Sequence, residues 1–252
     1  KKLKENKDLI KEIFYTQRNE LAEIKKNFGT NIGVDGKYID SYAKKENRIQ
    51  KADGRRDTDA KYGVKEKYYK DDKGNEKIKK ETHFGYRVHL TADVDYELPI
   101  DYEIETANIA EGKTFVKMLD KEVNKEILNR TQSATADKGY DDKKILEKLE
   151  GMNILPIIDK RKMNKEEKEE MSFDGYDKKR DTLAYKCPVK AYGIECKGCE
   201  ECPVKTKVRI KRSINPRVFT EVARNTYKWK KMYNKRVALE RINGRLDNGY
   251  EF

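Results

Sequence analysis

Between Phe84 and Ala92 the chain alternates without a slip. Phe84, Tyr86, Val88, Leu90 and Ala92 fall on one side, and Arg87, His89 and Thr91 on the other. Alternation of this length marks a half-buried strand, and a strand with one apolar face needs a sheet around it. The segment YELPIDYEIETAN follows at once and reads as the returning strand of a hairpin through Val94, Asp95 and Tyr96. Upstream, NIGVDGKYID is a third apolar approach that ends or turns at Asp35-Gly36. Downstream, Phe115, Leu119, Val123 and Ile127 recur at four-residue steps and predict a helix over residues 111–129. TQSATADKGYDD then predicts a short strand and loop, DDKKILEKLEGM a helix closed by Gly151, and NILPIID another strand. Strands interleaved with crossover helices indicate an α/β layer fold.

Flanking this block, residues 8–26 read as an amphipathic helix with Ile10, Ile13, Phe14, Leu21 and Ile24 on one face. Residues 44–80 are polar and loop-like, with a hairpin turn expected at residues 71–75 between KEKYY and EKIKKETHFGY. The expected organisation is an N-terminal helical segment over 1–30, the first part of a core over 31–160, a basic Cys-containing insertion over 161–226, and a C-terminal helix over 227–252 that completes the core. The chain does not begin with Met and starts inside a helical pattern, which reads as a fragment.

Charge narrows the partner. The 252 residues carry 58 Lys and Arg against 46 Asp and Glu, a formal net charge of +12. A surplus of this size suits a polyanion such as DNA or RNA, bound with strong salt dependence; solvated lysines are the plain alternative. No apolar run approaches the ~18 residues of a membrane span.

Three carboxylates stand out as a set. Asp35 and Asp137 each close an apolar strand, and Glu240 lies on a predicted helix, at separations of 102 and 103 residues. Taken singly, each is an ordinary turn, loop or surface acid. Together they are what phosphodiester chemistry on hard divalent cations requires, since Mg²⁺ takes oxygen ligands and keeps waters, and two such ions clamp an in-line displacement. At about 100° per residue, Tyr233, Arg236, Asn243 and Asp247 share the face of Glu240, whereas Leu239, Ile242 and Leu246 fall opposite.

The string Tyr233-x2-Arg236-x3-Glu240 resembles the Y-x2-R-x3-E-x6-K signature of insertion-sequence transposases of the DDE class, with Asp247 where the signature has Lys and Arg245 nearby. VDGK at 34–37, HFGYRVHL at 83–90 and ADKGYD at 136–141 resemble that group's first-acid strand, FGYK-x-H strand and second-acid motif, in the same order. The resemblance covers residues 31–252. It implies a ribonuclease H-like mixed sheet flanked by helices, with an insertion between the second and third acids. It further implies metal-dependent DNA cleavage and strand transfer, with Asp35, Asp137 and Glu240 holding Mg²⁺ or Mn²⁺. Lys138, Tyr233, Arg236 and Arg241 are then candidates for phosphate contact. Double-stranded DNA, a homodimer on DNA and a cytoplasmic, nucleoid-associated bacterial setting follow by the same resemblance, with no membrane. A DNA-binding relative that has lost activity and a nuclease without strand transfer are the alternatives. His89 reads as plain surface, with participation as the other reading.

Cys187, Cys196, Cys199 and Cys202 form C-x8-C-x2-C-x2-C. Four thiols in one short stretch suit a tetrahedral Zn²⁺ site, with reduced thiols and an iron–sulfur cluster as other readings. A metal there would staple an otherwise coreless basic segment, Lys205 to Arg217, able to grip DNA.

Overall fold

The computed structural model describes residues 6–43, 49, 51, 57–71, 74, 76–161, 172–187, 189–190, 193 and 206–250. The chain divides into two compact units, Lys1–Thr131 with Val237–Phe252, and Gln132–Arg236.

The first unit is built around the alternating strand. β1 (Asn31–Asp40) and β4 (Leu98–Thr106) both pair antiparallel with the C-terminal half of β3 (Glu76–Asp93). The β3–β4 turn closes on Asp93, which is fully buried. Its carboxylate accepts N–H bonds from Asp95 (2.8 Å), Tyr96 (2.6 Å) and Gly29 (2.7 Å). β2 (Lys61–Lys70) pairs antiparallel with the N-terminal half of β3. A strand therefore stands inside the stretch whose polarity suggested a loop, because its side chains face water on both sides.

Directly opposed residues in an antiparallel ladder share a face. Asp35 opposite Leu90, and Leu90 opposite Tyr102, lie on one side of the sheet. Gly36 opposite His89, and His89 opposite Glu103, lie on the other. The side of Asp35 is covered by the C-terminal helix α6 (Val237–Tyr250), whose Leu239 and Ile242 form a buried cluster with Leu90 and Ala92. The side of His89 is covered by α2 (Glu111–Leu119), which buries Phe115, Met118 and Leu119 and pairs Glu111 with Arg87 at 3.1 Å.

Helix α1 (Lys7–Ile24) departs from the expected orientation. It buries Arg18 and Ala22, whereas Ile10, Ile13 and Ile24 are 38%, 51% and 72% exposed. Polar contacts decide its docking. Tyr15 donates to Asp101 at 2.7 Å, and Arg18 donates to Asn124 at 2.7 Å and to the Val123 carbonyl at 2.7 Å. The helix expected over 111–129 is likewise in pieces: α2, a 3-10 turn at Glu122–Asn124, and α3 (Lys125–Arg130). The break lets Lys121 and Asn124 reach the buried Asp101, each at 2.8 Å.

In the second unit β5 (Ser133–Ala136) and β6 (Leu155–Ile158) are parallel, with α4 (Lys143–Gly151) as crossover. Helix α5 (Tyr227–Asn234) seats Trp229 against Ile157 and Val222. The expected insertion holds a three-stranded antiparallel sheet, β7 (Ser172–Asp177), β8 (Thr182–Lys186) and β9 (Lys207–Lys211). Leu183, Ala184 and Tyr185 of this sheet and the adjoining Cys187 are buried, and the Tyr185 ring lies against Phe173 and Phe219.

The continuous C-terminal helix expected from Tyr227 is two helices, α5 and α6, broken at Lys235–Arg236, where one unit gives way to the other. Angular arithmetic therefore holds within α6, for Glu240, Asn243 and Asp247, and does not extend back to Tyr233 or Arg236. No helix among the described residues is long and apolar enough to cross a membrane.

Candidate active site

Asp35 sits mid-strand in β1, partly buried, on the face beneath α6. Gly33, two residues earlier on that face, leaves room for the helix. A Cβ there would come within 2.9 Å of the Leu239 side chain and 2.8 Å of Val94. Asn243 of α6 donates its side-chain amide to Asp35 Oδ2 at 3.0 Å. Glu240, exposed, lies one turn before Asn243 on the same helix face. One unit thus brings the strand acid and the helix turn bearing the third acid together. Lys37, two residues beyond Asp35 and on its face, forms an ion pair with Asp247. A positive charge from the strand therefore stands where the helix departs from the signature, and Asp247 is its partner.

Arg241, read from sequence as a phosphate contact, is held by the Glu97 carboxylate, which Arg245 also pairs at 2.8 Å. Its own bond to Glu97 raises the Arg241 pKa further, and the two arginines lock α6 to the β3–β4 turn.

His89 is 1% exposed, so the surface reading fails. Nor does it lie beside Asp35, since it projects from the opposite face of the sheet, beneath α2. Among the described residues, neither ring nitrogen has a hydrogen-bond partner. Burial first, and then the charge of Arg87, push its pKa down to about 4, which leaves the ring neutral.

In the second unit Asp137 follows β5 and caps a short 3-10 turn, accepting from the Gly139 N–H at 2.7 Å. The rest of its motif anchors the loop: Tyr140 is fully buried, and Asp141 accepts from Arg217 at 3.1 and 2.5 Å and from the Arg161 N–H at 2.8 Å. Lys138 is exposed at the same turn. Tyr233 stacks on Trp229, with centroids 4.6 Å apart, and Arg236 lies 5.8 Å from the Tyr233 ring. Burial raises the Tyr233 pKa, Arg236 opposes this, and Asp159 and Asp137 add to it. The phenol therefore remains a proton donor near two carboxylates and a guanidinium.

Asp159 was passed over by the sequence reading. Ala136 and Ile158 are register partners at the ends of parallel strands, so Asp137 and Asp159 are the next residues of neighbouring strands. Ligands of α/β folds gather at such carboxyl ends. The available signal was the matching form of the two segments, an apolar strand run followed at once by Asp.

The basic stretch Lys205 to Arg217 is less open to DNA than its composition suggests. Arg212 is engaged by Asp181 and Glu150, and Arg217 by Asp141. Of the cysteines, Cys187 is buried, and its N–H bonds the Thr206 carbonyl at 3.0 Å. Cys196, Cys199 and Cys202 lie outside the described residues.

Asp35, Glu240 and Asp137 all offer hard carboxylate oxygens, the donor type that Mg²⁺ and Mn²⁺ prefer. Among the described residues, no three His, Cys, Asp or Glu side chains form a ready-made metal cluster. The donor chemistry fits a divalent cation, and the acids stand mid-strand in β1, just after β5 and on α6 of a mixed α/β framework. A family model described as the transposase DDE domain matches residues 30–251. The chain belongs to that family, and with it to a mixed α/β, ribonuclease H-like fold. Neither the curated proteins nor the solved structures gave a match.

Proposed function

We propose that this chain is the catalytic domain of a DNA transposase that cuts at transposon ends and joins them to target DNA, with Asp35, Asp137 and Glu240 as ligands of Mg²⁺ or Mn²⁺. The observation that carries the reading is the Asn243–Asp35 bond, which ties the first-acid strand to the helix turn bearing Glu240. Two divalent ions at such a site supply activation of the attacking oxygen and stabilisation of the leaving one. In the assignment we favour, Asp35, Asp137 and Glu240 would together hold these ions through their carboxylate oxygens.

The chain's own residues then have distinct tasks. Asn243 orients the Asp35 carboxylate. Lys138, Tyr233 and Arg236 hold phosphate oxygens, which positions DNA without reading its sequence. In the first step water attacks the phosphorus at the transposon end and the 3′-oxygen leaves, yielding a 3′-hydroxyl and a 5′-phosphate. In the second step that hydroxyl attacks a target phosphodiester and displaces its 3′-oxygen, so one ester bond forms as another breaks. A homodimer assembled on paired ends in the bacterial nucleoid is the proposed working form. The cysteine quartet opening at Cys187 is proposed to hold Zn²⁺, which metal analysis of the purified chain would reveal.

The test is Mg²⁺- or Mn²⁺-dependent conversion of DNA bearing the cognate ends, scored for nicked and for joined products. Asp137→Asn should lose activity by about 10³-fold or more with its melting temperature little changed. Full activity in that variant would sink the assignment. Nicks without joined products from the wild type would make the chain a nuclease, and salt-sensitive binding with no turnover would make it a DNA-binding relative.

A further inference from the structure

β3 has two halves with different surroundings. From Tyr86 to Asp93 it is flanked by β1 and β4, whereas from Glu76 to Phe84 its ladder partner is β2. β2 and the first half of β3 therefore make a two-stranded ribbon that springs from the three-stranded sheet. Gly85 is the branch point. Its φ is +155°, and a Cβ would lie 2.2 Å from the Ile39 carbonyl oxygen and 2.7 Å from the Ser41 nitrogen, so only glycine fits between the departing β1 and the incoming ribbon.

The ribbon's faces differ. Lys61, Lys65, Tyr69, Lys77 and Lys79 share one face, with Glu81 opposite Lys65. Lys77 and Lys79 are 56% and 67% exposed, and Tyr69 is 50% exposed. The other face carries Tyr62, Val64 and Ile78 together with the Glu66–Lys80 ion pair. An isolated two-stranded ribbon is at best marginally stable in water, so one this long with a lysine face is built to lie against something.

We propose that the lysine face of this ribbon is a docking surface for double-stranded DNA, extending the hold on the duplex beyond the catalytic residues. The proposal rests on the transposase reading above. Charge complementarity selects the occupant: among the described side chains, four lysines stand on one face against Glu81, which pairs Lys79 at 3.5 Å, and Asp71, which pairs Lys77 at 3.1 Å; the surplus suits a phosphate backbone, and a two-stranded ribbon has the width of a major groove. Position adds a distance. The ribbon starts five residues and ends fourteen residues along β3 from Leu90, the partner of Asp35. At about 3.3 Å per residue this covers roughly 17 to 46 Å, or about 5 to 13 base pairs at ~3.4 Å per step.

The experiment uses the full chain and duplex DNA carrying the cognate end, with binding measured from low to physiological salt. Each phosphate contact contributes about 0.9 to the slope of log affinity against log salt. Lys61→Gln, Lys65→Gln and Lys79→Gln combined should flatten the slope by about 2 to 3 and shorten the protected duplex in footprinting. An unchanged slope and footprint overturns the proposal. Val64→Thr with Ile78→Thr, on the opposite face, should leave the slope intact; an equal loss there, or loss of self-association instead of DNA binding, also overturns it. Cleavage by the same preparations separates the two readings. A wild type that cuts while the lysine variant keeps its slope rejects the ribbon alone, and a wild type that binds through the ribbon without cutting rejects the catalytic reading alone.

Discussion

The two faces of the β1–β3–β4 sheet are made of the same three strands and differ in almost everything else. Under α6 the contact is apolar, with Leu90, Ala92, Leu239 and Ile242 packed together and the polar residues Asp35, Lys37, Asn243 and Asp247 around them. Under α2 and beside α1 the contact is ionic. Asp101 is fully buried and takes bonds from Tyr15, Lys121 and Asn124, and Glu103 is paired with Lys121 at 2.7 Å. Dispersion and burial hold the face of Asp35 together at its centre, and its polar contacts lie around that apolar patch. The opposite face uses carboxylates as structural ties, and removing one partner leaves the others buried and charged.

That division can be broken from either side. The largest expected effect comes from the ionic face. Asp101→Leu strips the Tyr15 hydroxyl and the Asn124 amide of their buried carboxylate, leaves Lys121 to Glu103 alone, and should cost about 3 to 5 kcal/mol in a denaturant melt. Cleavage measured well below the new melting point should persist, because α6 packs on the other face. A loss under about 1 kcal/mol would mean that the network is not what holds α1.

A smaller effect follows from His89 on the same buried face. In the unfolded chain its ring takes a proton near pH 6.5, but in the folded chain only at about 4. Between those values the unfolded state binds more protons, so stability falls as pH drops from about 6.5 to about 4 and levels off below. The difference amounts to roughly 3 kcal/mol. His89→Gln should flatten this stretch of the stability–pH curve, and an unaltered slope would show the ring to be hydrated in solution.

The smallest effect sharpens the face of Asp35. Asn243→Ala removes the amide that orients Asp35 and should weaken Mn²⁺ binding about 10- to 100-fold while the melting temperature barely moves. A drop in stability without a change in metal affinity would make Asn243 a packing residue.

Much of this was legible along the chain. The alternation in β3 and its hairpin to β4, the βαβ unit through α4, and the ordered motifs around Asp35, Asp137 and Glu240 are local signals, set by side-chain period and by residues adjacent in sequence. Asn243 and Asp247 could be placed on the face of Glu240 because α6 is regular from Val237 onward. Three readings failed where a distant partner overrode the local pattern. Arg18 and Tyr15, not the isoleucines, set the roll of α1, because partners from Val123, Asn124 and Asp101 were invisible to a count of apolar positions. His89 looked like surface because alternation cannot tell a solvent-facing side from one that α2 will cover. The basic run before Arg217 looked free because its acids, Asp141, Glu150 and Asp181, lie far off in sequence.

The alternating strand at Phe84 to Ala92 was written in the sequence, since a period of two follows from backbone geometry alone. Which side of that strand would share a face with Asp35, and which would be sealed beneath a helix with a neutral histidine inside, was decided only by the tertiary structure. Both sides of a strand offer the same ladder, and the choice between them falls to whichever helix has the complementary surface to cover it.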